Sequence, residues 1–147
     1  MKRARNRQDK YRHTPICPYC GKVAELVGNA VIYGRTVGHG QAWACGNFPK
    51  CDAYVGCHHG TNIPLGSLAN KALRKARGAA HRALDPLWTR KMKVDGCARF
   101  KARSAAYRWI AKQLEIGFDF SHIAMFNEAQ CRRVIEICAP YQKGKTP

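Results

Sequence analysis

Cys17-Pro18-Tyr19-Cys20-Gly21, answered downstream by Cys45-Gly46-Asn47-Phe48-Pro49-Lys50-Cys51, is the stretch from which the fold is read. Each half sets two cysteines on a tight turn closed by Pro or Gly, so that both thiolates and the turn's backbone N–H groups can face one ion. The 24 residues between Cys20 and Cys45 suit a hairpin that carries the second pair back beside the first. Coordination by Cys17, Cys20, Cys45 and Cys51 then predicts a zinc ribbon in which Zn2+ is structural. A disulfide framework would use the same cysteines. No apolar leader precedes them, which points instead to a reducing compartment and a metal.

The rest of the composition bounds the partner. Of 147 residues, 26 are Lys or Arg and 9 are Asp or Glu, a net charge of +17. No apolar run approaches the ~20 residues of a membrane span, so no membrane role is expected. A polyanion is the partner that such a charge fits best, because each neutralised phosphate releases counterions. A solubilising surface and an acidic protein partner are the alternatives. Like charge at this density repels itself in the folded state, which weakens solubility as the whole explanation.

Residues 1–13 hold six Lys or Arg against Asp9 and almost nothing to bury, so they read as a basic flexible arm. Within the ribbon, residues 14–62, the runs Val23 to Val27 and Ala30 to Tyr33 suggest short strands broken at Gly28-Asn29, with Gly34 to Gly40 as a loop. Gln41 to Ala44 would be the strand that delivers Cys45. Trp43 is expected in the small core, and Phe48, at the tip of the second knuckle, is expected to be exposed where it could stack an unpaired base.

These knuckles carry a resemblance. Cys-Pro-Tyr-Cys-Gly followed by Cys-Gly-Asn-Phe-Pro-Lys-Cys resembles the zinc ribbons at the C-terminal end of type IA DNA topoisomerases, which implies single-stranded DNA binding over residues 17–55. A longer run extends from Cys51-Asp52-Ala53-Tyr54-Val55-Gly56 through His81, Asp85-Pro86-Leu87-Trp88 and Ala106-Tyr107-Arg108-Trp109 to His122 and Cys131. It resembles a family of phage and prophage proteins known mainly for containing a zinc finger. That resemblance implies a phage-encoded protein in the cytoplasm of an infected bacterium, and it implies no particular activity.

Cys57-His58-His59 could ligate a second metal only by recruiting distant partners such as His81 or His122. Otherwise these residues belong to a loop. Beyond them, residues 63–141 read as a basic helical domain of about three helices. Ser67 is the expected N-cap of the first, which Asp85-Pro86 should end. At 100° per residue Lys71, Arg74, Lys75, Gly78 and Arg82 share one side, and Leu73, Ala76, Ala80 and Leu87 the other. With Arg77, Arg90, Lys91 and Lys93 these cations form the expected nucleic-acid surface. Ordinary solvation is the alternative, but the face lacks the Glu residues that solvated helices usually intersperse.

His81 and Asp85 stand four apart near Arg74 and Arg77. A carboxylate orienting an imidazole beside arginines suits phosphodiester hydrolysis, and it equally suits an i, i+4 ion pair at a helix end. The ion pair is the preferred reading, so no catalytic residue is assigned. Residues 71–103 hold eleven Lys or Arg and two Asp, a net +9, around an expected turn at Asp95-Gly96. Ser104 to Ile116 should form the second helix, and Phe118 to Phe126 a strand or an irregular cover over the core. Asn127 with Gln130 forms a capping box for the last helix. Cys131, Val134, Ile135 and Cys138 make its buried stripe, and residues 142–147 are a polar tail.

The predicted class is therefore α+β: a four-cysteine ribbon with a short antiparallel sheet, followed by helices. Three functions stay open. The first is binding of DNA or RNA with weak sequence specificity. The second is a metal-dependent nuclease using His81 and Asp85. The third is an inhibitor or modulator of a host protein.

Overall fold

The structure, a computed structural model, describes residues 14–34 and 40–143. The expected basic arm, most of the loop before Gly40 and the end of the tail lie outside the described residues. The chain divides into two compact units, Met1–Lys71 and Ala72–Pro147. The first unit thus extends past residue 62, where the ribbon was expected to end. Its sequence continues into the sheet: Ala69 bridges Tyr54, Cys57 bridges Pro64, and Leu68 is 1 % exposed in the small core.

The first unit is built on a three-stranded antiparallel sheet of order β1-β2-β3, with β1 Glu25–Gly28, β2 Gln41–Ala44 and β3 Tyr54–Gly56. Leu26 faces Trp43, and Trp43 faces Val55. The expected second strand is a short helix instead, α1 Asn29–Tyr33. Gly34 ends it at φ 67 with its N–H on the Ala30 carbonyl, and the Asn29 N–H closes onto Gly40. Ala30 to Tyr33 has β-forming composition, but the strand that pairs with β1 is β2, and this run lies in the connection between the two instead. Cys17, Ala24, Cys45, Ala53, Val55 and Leu68 form the core, with Trp43 packed against it. Trp43 donates its indole N–H to the Asn62 carbonyl at 2.8 Å.

The helix expected after Ser67 starts at Lys71, because Leu68 and Ala69 belong to the ribbon. Asp52 Oδ2 accepts from the Lys71 N–H at 3.0 Å. This helix, α2 Lys71–Asp95, runs straight past the expected stop and carries Pro86 inside it. Pro86 removes one N–H and costs a helix interior about 3 kcal/mol. Burial of Leu84, Leu87 and Trp88 on either side of it offsets that cost. The expected basic loop is consequently helical up to Asp95, and Gly96, at φ 62, makes the turn.

α3 Arg99–Leu114 begins five residues before Ser104 and ends at Glu115, whose φ of 55 is left-handed. Two 3-10 turns, Phe118–Phe120 and Ile123–Met125, form the irregular cover. α4 Glu128–Cys138 opens on the expected capping box: Asn127 Oδ1 accepts the Gln130 N–H at 2.8 Å, and Gln130 Oε1 accepts the Asn127 N–H at 3.0 Å. The core of this unit joins Ala80, Leu84, Leu87 and Trp88 of α2 to Ala102, Tyr107 and Ile110 of α3 and to Cys131, Val134 and Cys138 of α4. Ile135, expected in the buried stripe, is 38 % exposed.

Candidate metal centre and basic surface

Each cysteine pair is held by a turn that its own sequence dictates. In the first, the Cys17 N–H reaches Lys22 O at 2.8 Å and the Gly21 N–H returns to Cys17 O at 3.0 Å. Gly21 sits at φ 73, a conformation that favours glycine. In the second, the Phe48 N–H bonds Cys45 O at 2.8 Å and the Cys51 N–H bonds Asn47 O at 3.1 Å. The Asn47 N–H points at Cys45 Sγ, 3.4 Å away. Strand β2 delivers Cys45, whose N–H is fixed to Ala53 O at 2.9 Å.

The four Sγ atoms of Cys17, Cys20, Cys45 and Cys51 lie within 4.8 Å of one another. Cys17 and Cys51 are separated by 3.6 Å, Cys20 and Cys45 by 3.2 Å. A tetrahedron of thiolates with Zn–S bonds of ~2.3 Å has edges of ~3.8 Å, so the donor set fits one zinc ion. Charge demands a cation as well. Burial pushes the Cys45 thiol up to about 12, while a hydrogen bond from the Lys22 backbone holds Cys20 down at about 7. Four thiolates can coexist there only around a positive ion. Cys17 and Cys45 are buried and Cys20 is exposed, so the ion sits at the edge of the ribbon core and ties the two knuckles together. With four thiolates the ion has no open position for water or substrate. Its role is structural.

Among the described residues this is the one group of three or more His, Cys, Asp or Glu placed to hold a metal. His58 and His59 are exposed, and burial pushes the half-buried Cys57 thiol up. His81 and Asp85 do come together: Nδ1 and Oδ2 are 3.4 Å apart, each side chain about two-fifths exposed. The other Asp85 oxygen accepts the Trp88 indole N–H at 2.9 Å. They line a shallow depression along α2 with Arg82, Pro86, Thr89, Arg90 and Lys93.

The cations expected on one surface separate into three groups. Lys71, Lys75, Arg82 and Lys93 are exposed, and their spacing sets them within about 40° of one another around α2. Arg74 and Arg90 are half-buried, and Arg90 donates to Tyr141 O at 3.1 Å. Lys91 is exposed but paired with Asp95 at 2.7 Å, which raises its pKa. Arg77 departs from the expectation. It is 8 % exposed and its Nε donates to Phe126 O at 3.1 Å, so it anchors the turn over the helical core. Phe48 is half-buried rather than exposed.

Sequence reasoning passed over Gly46, Asn47, Asp52 and Tyr19. A Cβ on Gly46 would stand 2.7 Å from the Val23 carbonyl oxygen, so the second knuckle approaches the first hairpin where only glycine fits. Tyr19 Oη accepts the Asn70 N–H at 3.2 Å. The glycine after Cys45 was the visible signal for the first of these. Asn47 acts within its own knuckle, on Cys45 and Cys51, whereas Asp52 and Tyr19 depend on contacts 19 and 51 residues along the chain.

Residues 13–141 match the model of a family described as a zinc-finger-containing domain. Neither the curated proteins nor the solved structures contain a significant match.

Proposed function

The chain belongs to this zinc-finger-containing domain family, and from that premise we propose that it is a nucleic-acid-binding protein whose zinc centre is structural and whose α2 is the phosphate-binding element. The observation that carries the reading is the α2 face: Lys71, Lys75, Arg82 and Lys93 are exposed on one side of the helix, in a chain of net charge +17. A face of this kind neutralises phosphates without reading bases, so the binding has weak sequence specificity and steep salt dependence. The setting we propose is the cytoplasm of a phage-infected bacterium. The likeness of the chain to phage and prophage zinc-finger proteins supports that setting, and the likeness of its knuckles to topoisomerase ribbons supports nucleic acid as the partner.

Titration of zinc-loaded protein into labelled DNA and RNA at several salt concentrations, with Mg2+ present and products resolved on a gel, tests this. The expected result is intact nucleic acid bound with an affinity that falls steeply with salt. Reversing Lys75, Arg82 and Lys93 to Glu should weaken binding to all sequences alike and flatten the salt dependence by roughly one phosphate contact per residue changed. Cleaved product that disappears in His81→Ala would favour hydrolysis at His81 and Asp85 instead. Absence of binding at low salt would redirect the reading to a host protein.

A further inference from the structure

α3 and the turn that follows it carry a row of rings and guanidinium groups that neither the zinc centre nor the α2 face uses. Arg103 Cζ lies 4.9 Å from the centre of the Tyr107 ring. Tyr107 meets His122 at 5.5 Å between ring centres, and His122 meets Phe118 at 6.4 Å. Arg108 Cζ stands 5.3 Å from the Phe118 ring. The row therefore runs from one guanidinium through three rings to another.

Its backing is fixed. Ser121, 0 % exposed, donates its hydroxyl to Tyr107 O at 2.7 Å, and Ile123 and Phe126 are buried in the core behind it. The N–H groups of Phe120 and Ser121 return to Gly117 O and Phe118 O at 3.0 Å. This pinned turn keeps Phe118 40 % and Phe120 61 % exposed, with His122 exposed beside them. Rings exposed to this degree on a turn anchored by three buried neighbours forgo burial that Ile123 and Phe126 obtain.

Charge identifies the occupant. Residues 99–122 hold five Lys or Arg against Glu115 and Asp119. The ion pairs between described side chains of this unit are His81–Asp85, Lys91–Asp95 and Arg133–Glu136, which engage neither Arg103 nor Arg108. Exposed rings flanked by cations match a ligand with flat apolar faces and an anion on either side, which is the repeat of an unpaired nucleic-acid strand. We propose that this row, together with Phe120 on the same turn as Phe118, is a stacking site for the unpaired bases of a single strand, with bases on Phe118 and Phe120 and flanking phosphates on Arg103 and Arg108. It rests on the nucleic-acid reading above and adds a strand preference to it. A duplex cannot use the site, because its bases are already stacked on one another.

The full, zinc-loaded chain should be titrated into a labelled deoxythymidine strand of about 15 nucleotides, within the usual span of such sites, and into a duplex of the same length. Wild type should prefer the single strand. Phe118→Ala with Phe120→Ala should weaken single-strand binding by at least about thirtyfold, at ~1 kcal/mol or more per stacked base, leave duplex binding unchanged and leave the salt dependence unaltered. Arg108→Gln should reduce the single-strand salt slope by about 0.7. A folded double variant that binds the single strand like wild type would overturn the site, as would equal weakening on single strand and duplex. Phe120→Ala alone, at the more exposed ring, serves where the double variant does not fold. The α2 reversal separates the two readings: single-strand binding that ignores it but needs Phe118 and Phe120 would sink the α2 face and leave the stacking row standing. Binding to neither probe would overturn both.

Discussion

At Gly46 the ribbon leaves no room for a side chain, because the Val23 carbonyl oxygen would meet a Cβ at 2.7 Å. The obstacle is backbone, which cannot swing aside as a flexible side chain would. Gly46→Ala is therefore expected to push the second knuckle off the first and to lower the stability of the metal-bound ribbon by ~1–3 kcal/mol, read as a lower thermal midpoint at unchanged zinc concentration. Cys20→Ser tests the ligand set directly. Loss of one thiolate should drop bound zinc below one equivalent and remove the dispersed amide signals of residues 14–71, and a fully zinc-loaded, folded variant would refute the four-cysteine centre. Protons compete with the metal for the same sulfurs. Burial raises the Cys45 thiol to about 12, so in the metal-free site Cys45 remains protonated across neutral pH. Zinc displaces that proton, and the apparent zinc affinity should consequently rise with pH and fall on acidification. Competition with a chromophoric chelator from pH 6 to about 8 would measure it.

At the scale of elements, α2 shows local propensity yielding to packing. Asp85-Pro86 reads in sequence as a helix stop, yet the helix continues for nine residues after Pro86, to Asp95. The reason lies in Leu84, Leu87 and Trp88, all buried, which only a continuous helix presents on one side. Pro86 itself is exposed, so Pro86→Ala should stabilise the helical unit by ~1–3 kcal/mol in urea denaturation, the gain being the restored N–H. α4 is the opposite case. Its capping box was legible from Asn127 and Gln130 and is formed as written, since both partners lie within one turn. Asn127→Ala should cost about 1 kcal/mol in the same assay. The short helix α1 was not legible: Ala30 to Tyr33 has strand composition, but β1 pairs with β2, Gln41–Ala44, and the run lies in the connection between them.

At the scale of the whole molecule, two cores of different origin share one chain. The ribbon core is small and sits beside the four-cysteine cluster, whereas residues from Ala80 to Cys138 supply the helical unit with an apolar core of its own. Chelation of zinc should unfold residues 14–71 while most of the helical circular dichroism persists; simultaneous loss of both signals would show that the helical unit depends on the metal. What the sequence by itself determined is the part whose partners are near in the chain or marked by rare chemistry. The four cysteines, the α+β class, the capping box and the buried Cys131 and Cys138 all belong there, because knuckle spacing and helical period are local quantities. Tertiary structure alone decided that Arg77 turns inward to Phe126 O, that Ala69 closes on Tyr54, and that Arg103, Tyr107, His122, Phe118 and Arg108 form one row. Apart from Arg103 on Tyr107 and Phe118 beside His122, each four residues apart, those contacts join residues distant in the chain, and such a contact is fixed by how faces pack, which no local spacing encodes.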